Sequence, residues 1–189
     1  LEDDGKLVWT YRKAMTPDRM PKSLLVVGSG AIGIEFASFY NALGAKVTVV
    51  EVMDRILPVE DEEISGMARK SFEKQGMRII TGGKAGNLRK AADSVTVAVE
   101  AGGKTEDITV DRVIVAVGIS PNTENLGLEN TKVKMDRGHS QTNGMCQTDE
   151  PGVYAIGDVT GAPWLAHKAS HEGVIVAEHI AGKHPHALD

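Results

Sequence analysis

Apolar and polar positions follow two textures along the chain, short continuous runs and longer helical spacings. From residue 23 the run SLLVV is apolar throughout, which suits a strand covered on both faces in a parallel sheet. It ends in Gly28. Residues 31–43 then carry Ile32, Phe36, Phe39, Tyr40 and Leu43 at helical spacing, and Gly44 stands where a helix C-terminal cap belongs. KVTVVE (46–51) reads as a second strand, so this stretch is a β-α-β unit. In VEDEEISGMARKSFEKQG the acidic residues come first and Lys and Arg later, as a helix dipole favours, and Gly76 ends the helix. MRIIT (77–81) follows as a strand, and residues 82–93 are Gly- and Lys-rich with no clear period. SVTVAVE (94–100) alternates, Gly102 and Gly103 turn the chain, and EDITV (106–110) alternates again. That pattern predicts an antiparallel hairpin attached to the parallel sheet.

DRVIVAVG (111–118) is a further apolar strand ending in Gly118. Residues 119–150 are loop-like and polar, GVYAIGD (152–158) predicts one short buried strand, and 165–181 predict a helix. Upstream, Leu7, Val8 and Trp9 suggest a short strand, followed by a helical turn and a connector between Pro17 and Pro21. The fold class expected is α/β, a Rossmann-like parallel sheet with an antiparallel hairpin.

Composition narrows the functions available. The chain has 189 residues, 41% hydrophobic and 25% charged, which is ordinary globular usage with length enough for a real core. Its net charge of −5 and the lack of a basic cluster argue against nucleic acid or an anionic membrane as partner. No apolar run approaches the ~18 residues of a membrane span. The single cysteine, Cys146, cannot form an internal disulfide or a C-x-x-C redox pair.

The chemistry concentrates at Gly28-Ser29-Gly30-Ala31-Ile32-Gly33, a G-x-G-x-x-G. Alone that spacing is weak. Here it follows an apolar strand, opens a helix, and is followed by Glu51 at the end of the next strand, the context a dinucleotide site requires. Gly28 permits the tight turn, Gly30 lets backbone approach a pyrophosphate, and Gly33 lets the helix pack close to the sheet. The helix N-terminus offers free N–H groups to the phosphates. Glu51 can accept hydrogen bonds from both adenosine ribose hydroxyls, whereas a 2′-phosphate would set like charges together. At ~4 Å and an effective dielectric of about 20, that repulsion is on the order of 4 kcal/mol before solvent exposure reduces it. NAD is therefore expected over NADP.

Taken together, SLLVVGSGAIGIEFASFYNALGAKVTVVE, VIVAVGISPNTENLGLE and GVYAIGDVTGAPWLAHKASHEG resemble the dihydrolipoamide dehydrogenases, flavin-dependent pyridine nucleotide–disulfide oxidoreductases. The resemblance covers essentially the whole chain. In that family the NAD domain is inserted into the FAD domain. It implies that 1–21 are a connector and the end of a first FAD-domain half, 22–118 the NAD-binding domain, and 119–189 the second part of the FAD-binding domain. It places Gly28, Gly30, Ala31, Ile32, Gly33 and Ile34 at the NAD turn and helix. Glu35 falls near the nicotinamide and flavin rings, Glu51 with Val52 at the ribose, and Ala85 against the adenine, where the family usually has a larger apolar residue. Gly118 passes close to the cofactors. Asp158 matches a ligand of the flavin's ribityl chain, and Trp164, Leu165, Ala166 and His167 match a helix start facing the flavin pyrimidine oxygen.

The same resemblance implies a cytoplasmic enzyme that passes electrons from dihydrolipoamide through a disulfide and FAD to NAD. It also implies a homodimer that meets the lipoyl domains of a 2-oxo acid dehydrogenase complex. The family's redox disulfide, first glycine-rich FAD turn and C-terminal dimer domain have no counterpart here, so a middle portion of such an enzyme, inactive by itself, is expected. Cys146 matches no redox position. A mercuric reductase, an NADH oxidase or a stand-alone NAD-binding module remain alternatives on these residues.

Overall fold

A computed structural model describes residues 1–188. The chain divides into two compact units, Leu1–Gly118 and Ile119–Asp189.

The first unit contains β1 (Val8–Trp9), α1 (Tyr11–Met15), β2 (Ser23–Val27), α2 (Ala31–Ala42), β3 (Lys46–Val50), α3 (Glu62–Lys74) and β4 (Arg78–Ile80). It continues with β5 (Gly83–Lys90), β6 (Val95–Ala101), β7 (Lys104–Val110) and β8 (Arg112–Val115). The main sheet has the order β1-β8-β2-β3-β4, every pair parallel. Two crossovers carry the chain outward from β2 through β3 to β4, and β8 then returns to β2's other side. The strand order therefore reverses at β2.

This sheet is the middle of three layers, and its register explains the unbroken apolar runs. Leu24 and Val26 of β2 face a helix-side core with Ile34, Ala37 and Tyr40 of α2. Leu25 faces the other way, into a second core with Val95, Val97 and Val99 of β6 and Ile108 and Val110 of β7. A strand covered on both faces has no polar side to show. Tyr40 is fully buried on the helix side, and its hydroxyl donates to the Ala14 carbonyl at 2.6 Å, which ties α1 to α2. On α3 the sequence signals are direct. Asp61 caps the helix by accepting from the Glu63 and Ile64 amides at 2.9 and 3.3 Å, and Lys74 lies in the last turn.

The expected antiparallel hairpin is β6–β7, and it is one part of a three-stranded sheet in the order β5-β6-β7. β5 occupies 83–90, the stretch with no legible period. Its pairing with β6 shifts register between Gly86 and Arg89, and Asn87 has φ 44 within the irregularity. An inserted residue of this kind moves inward positions off the two-residue repeat, so Ala85 and Leu88 both pack inward although they are not an even number apart.

The second unit holds a short 3-10 turn at Leu128–Asn130, β9 (Met135–Asp136) paired with β10 (His139–Ser140), a 3-10 turn at Gly157–Thr160, and α4 (Ala166–Ile180). The short buried strand expected at 152–158 does not form. Tyr154 makes one isolated bridge to Gln147, Ile156 is exposed, and Gly157 turns the chain with φ 74 into the 3-10 turn. Nor are the segment's apolar side chains buried: Val153 and Ile156 are exposed, and Tyr154 and Ala155 are half-buried. The Ala155 amide donates to Cys146 O at 3.1 Å and the Thr148 amide to Val153 O at 3.0 Å, and the pairing stops there because Cys146, Gly152 and Gly157, all at positive φ, turn the chain on either side.

Candidate functional site

At the carboxyl ends of β2, β3 and β8, where the strand order reverses, a cleft of about 500 Å³ opens. In open α/β sheets this switch point is the place where ligands bind. The glycine turn forms its floor. The Gly28 amide donates to Val50 O at 2.9 Å, continuing the ladder one residue past β2 before φ 98 turns the chain. A methyl group at Gly28 would stand 2.5 Å from Ala116 O, and one at Gly33 would stand 2.1 Å from Gly28 O. A methyl at Gly30 would meet no described heavy atom within 4 Å. Two of the glycines are thus required by packing, and the third opens onto the cleft. Gly30 is the N-cap of α2, and no side chain among the described residues caps that helix. Its first-turn amides and the positive end of its dipole are left for a ligand.

Glu51 ends β3 beside this turn with 6% of its surface exposed. Its Oε2 accepts from the Ser29 amide at 2.8 Å and the Ser29 hydroxyl at 2.6 Å, and its Oε1 accepts from the Met53 amide at 2.9 Å. Burial pushes the carboxyl pKa up, but the bonds from Met53 and Ser29 outweigh it, and the group lies below its ordinary value. A buried, ionised carboxylate is the result.

Of the residues singled out from sequence, Gly28, Gly30, Glu51, Val52, Ala85 and Gly118 line the cleft. Ala31, Ile32, Gly33, Ile34 and Glu35 stand on α2 behind the turn. Gly33 and Ile34 are buried in the helix packing, while Ala31 and Glu35 are exposed. Ser29, Lys84 and Val117 also line the cleft and were missed. Ser29 carried a signal, since it is the variable position of a glycine turn that faces an acidic strand end. Val117 carried none.

In the second unit, Asp158 lies exposed on the 3-10 turn that follows Gly157. Trp164 and Leu165 are exposed and lead into α4, whose first turn includes Ala166 and His167. No described side chain caps α4, and its first turn holds no acidic residue. Sequence reasoning missed the pair that holds this turn to the helix. Glu172 Oε2 accepts from the Gly157 amide at 2.7 Å, and Lys168 Nζ stands 3.1 Å from Glu172 Oε1. Lys168 also donates to Thr160 Oγ1 at 3.0 Å and Gly157 O at 3.3 Å. The one available clue was their i, i+4 spacing on the predicted helix.

A family profile described as pyridine nucleotide-disulphide oxidoreductase matches residues 1–173. The chain belongs to this family. It is 57% identical over 183 residues to a dihydrolipoyl dehydrogenase of Rhizobium etli, covering 96% of this chain and 38% of that protein. It is 50% identical over 191 residues to the dihydrolipoyl dehydrogenase of Zymomonas mobilis, covering 100% of this chain and 41% of that one. Among solved structures, LpdA from Mycobacterium tuberculosis superposes with a TM-score of 0.88 at 31% identity, over 100% of this chain and 40% of that chain. The HOCl-induced flavoprotein disulfide reductase RclA from Escherichia coli superposes at 0.85 with 26% identity, over 98% of this chain and 42% of that one. The chain thus spans about two-fifths of the length of the relatives it matches.

Members of this oxidoreductase family use FAD and NAD, and the residues present fit both. The open face of Gly30 and the uncapped start of α2 suit a pyrophosphate, and ionised Glu51, with three acceptor positions taken by Ser29 and Met53, has room for one ribose hydroxyl rather than the two expected. The exposed Asp158 carboxylate, on a 3-10 turn that Glu172 and Lys168 tie to α4, suits a hydroxyl. Among the described residues there is no group of three His, Cys, Asp or Glu placed to hold a metal, and no helix long and apolar enough to cross a membrane.

Proposed function

We propose that this chain supplies the NAD site and one wall of the FAD site of a dihydrolipoamide dehydrogenase, the enzyme that oxidises dihydrolipoamide to lipoamide. The observation that carries this reading is the glycine turn at the β2 switch point with ionised Glu51 held beside it. In this reading residues 22–118 are the NAD-binding domain, 119–189 the second part of the FAD-binding domain, and 1–21 lead in from the first FAD-domain half. When bound, FAD relays electrons from a dithiol and NAD⁺ accepts them as hydride. This chain's part is binding and orientation. The α2 N-terminus and the Gly30 backbone hold the pyrophosphate, Glu51 accepts from the adenosine ribose, and Ala85 and Val52 flank the adenine side. Gly118, which lines the cleft, would pass close to the nicotinamide, and Glu35, exposed on α2, would approach it from the helix.

Asp158 would accept from the ribityl hydroxyls, and the amides of Trp164–His167 would face the pyrimidine oxygen, where a helix N-terminus favours negative charge. The high identity to proteins named dihydrolipoyl dehydrogenase supports this choice among the disulfide reductases. As part of such an enzyme the chain would belong to a homodimer that serves the lipoyl domains of a 2-oxo acid dehydrogenase complex in the cytoplasm. Calorimetric titration with NADH and NADPH tests the reading. NADH is expected to bind the tighter of the two, and Glu51→Gln to bring the two affinities together. Equal affinities in the unaltered chain would overturn it.

A further inference from the structure

Glu51 and the residue that orients it both border the cleft. Ser29 is nevertheless 0% exposed, because it is packed against the carboxylate. It is bonded twice to one oxygen. Its amide and hydroxyl both end on Oε2, at 2.8 and 2.6 Å, and use that oxygen's two acceptor positions. Oε1 takes the Met53 amide at 2.9 Å and keeps one acceptor position. Turning the carboxylate about its last bond would break all three bonds. The carboxylate is therefore fixed, with Oε1 as the oxygen left for an incoming hydroxyl.

We propose that Ser29 is a positioning residue for nucleotide selection, holding Glu51 so that its charge stays against the adenosine ribose and a 2′-phosphate is refused. This rests on the NAD reading above. A mobile Glu51 could swing away from a 2′-phosphate, and the like-charge contact that separates the two nucleotides would be lost. A carboxylate held by three bonds resists that swing. The hydroxyl is the separable part of the lock, because the backbone amide remains whatever residue occupies position 29. The Ser29 hydroxyl has no exposed surface and ends on Glu51 Oε2, so its effect on a ligand is expected to pass through Glu51, and the double variant tests that route.

The experiment measures dissociation constants of NADH and NADPH for the unaltered chain, S29A, E51Q and the double variant, with melting curves for each. S29A is expected to lower the NADH-over-NADPH preference about tenfold, the scale of one hydrogen bond to a charged group. In the E51Q background the same change is expected to leave the preference where E51Q put it, because the two residues act as one unit. S29G, which also removes the hydroxyl and keeps the amide, is measured beside S29A, so a folding defect peculiar to one replacement does not decide the outcome. A preference unchanged in both Ser29 variants, or a loss that adds in full to that of E51Q, overturns the proposal and leaves the NAD reading standing. A folded, unaltered chain that binds neither nucleotide overturns both.

Discussion

A methyl group added at Gly33 and one added at Gly30 meet opposite surroundings within the same turn. At Gly33 it would be driven to 2.1 Å from Gly28 O, so helix and turn must separate. Gly33→Ala is expected to destabilise the chain by roughly 1–3 kcal/mol, the usual range for overpacking, and to weaken NADH binding with it. At Gly30 the methyl enters open space. Gly30→Ala is expected to cost about 1 kcal/mol or less, the loss of a favoured N-cap residue, yet to remove most NADH binding by blocking the backbone's approach to phosphate. Melting curves and nucleotide titrations on the two variants separate these outcomes, and the reverse pattern would contradict the assignment of the turn. Cys146 makes a different case. It is buried, and burial foremost, with the nearby Glu172 charge, pushes its thiol pKa up. Its labelling by iodoacetamide at pH 7.5 is expected to be far slower in the native chain than in urea.

Among the elements, the 3-10 turn at Gly157–Thr160 depends on α4 more than on itself. Its described hydrogen bonds run largely to two side chains, Glu172 and Lys168, each with 11% of the side chain exposed. Removing one partner leaves a nearly buried charge uncompensated. Glu172→Ala is therefore expected to destabilise the second unit by about 3 kcal/mol. Hydrogen exchange should rise first at residues 157–161, which lose the bond to the Gly157 amide. Protection unchanged in that segment would mean that the turn is held by other contacts. β5 shows how far element-scale pattern can mislead. Its bulge breaks the two-residue period, so an ordinary three-stranded sheet carries the sequence signature of only a hairpin.

On the scale of the whole molecule, carboxylates tie distant parts of the first unit together, and this sets a pH dependence. Asp4 is lowered well below its ordinary pKa. Burial opposes the shift, and bonds from Lys90 on β5 and from the Val8, Lys6 and Leu7 amides outweigh it. Asp93 is lowered to about 2, first by Arg19, which ties the leading segment to the β5–β6 turn, and also by Arg112 of β8. Glu106, held by Arg78, and Glu51 are lowered as well. A depressed folded-state pKa means that near pH 4 the unfolded chain binds more protons than the native one. The stabilisation is complete above the unfolded carboxyl values, about 4 to 4.5, and drains away as pH falls through them toward the folded ones. The melting temperature is expected to be level from about pH 7 to 5 and to drop steadily below about pH 4.5. A melting temperature that rises on acidification would contradict these pairings.

Local chemistry was enough to read much of this protein from its sequence. Gly28, Gly30 and Gly33 act through backbone geometry, and Glu51 through its place one residue past a strand, so both follow from order along the chain. The doubly covered SLLVV run foretold a strand buried on both faces, because no polar side was present. Three things needed the tertiary structure. β5 pairs through a bulge that no period records, and residues 152–158 make only one bridge because positive φ at Cys146, Gly152 and Gly157 turns the chain away on either side. The bonds of Ser29 to Glu51, and of Lys168 and Glu172 to the Gly157 turn, join residues that only folding brings together. Apolar periodicity reports which side of an element is covered. Pairing, register and side-chain hydrogen bonds depend on what lies across the gap, and that is decided in three dimensions.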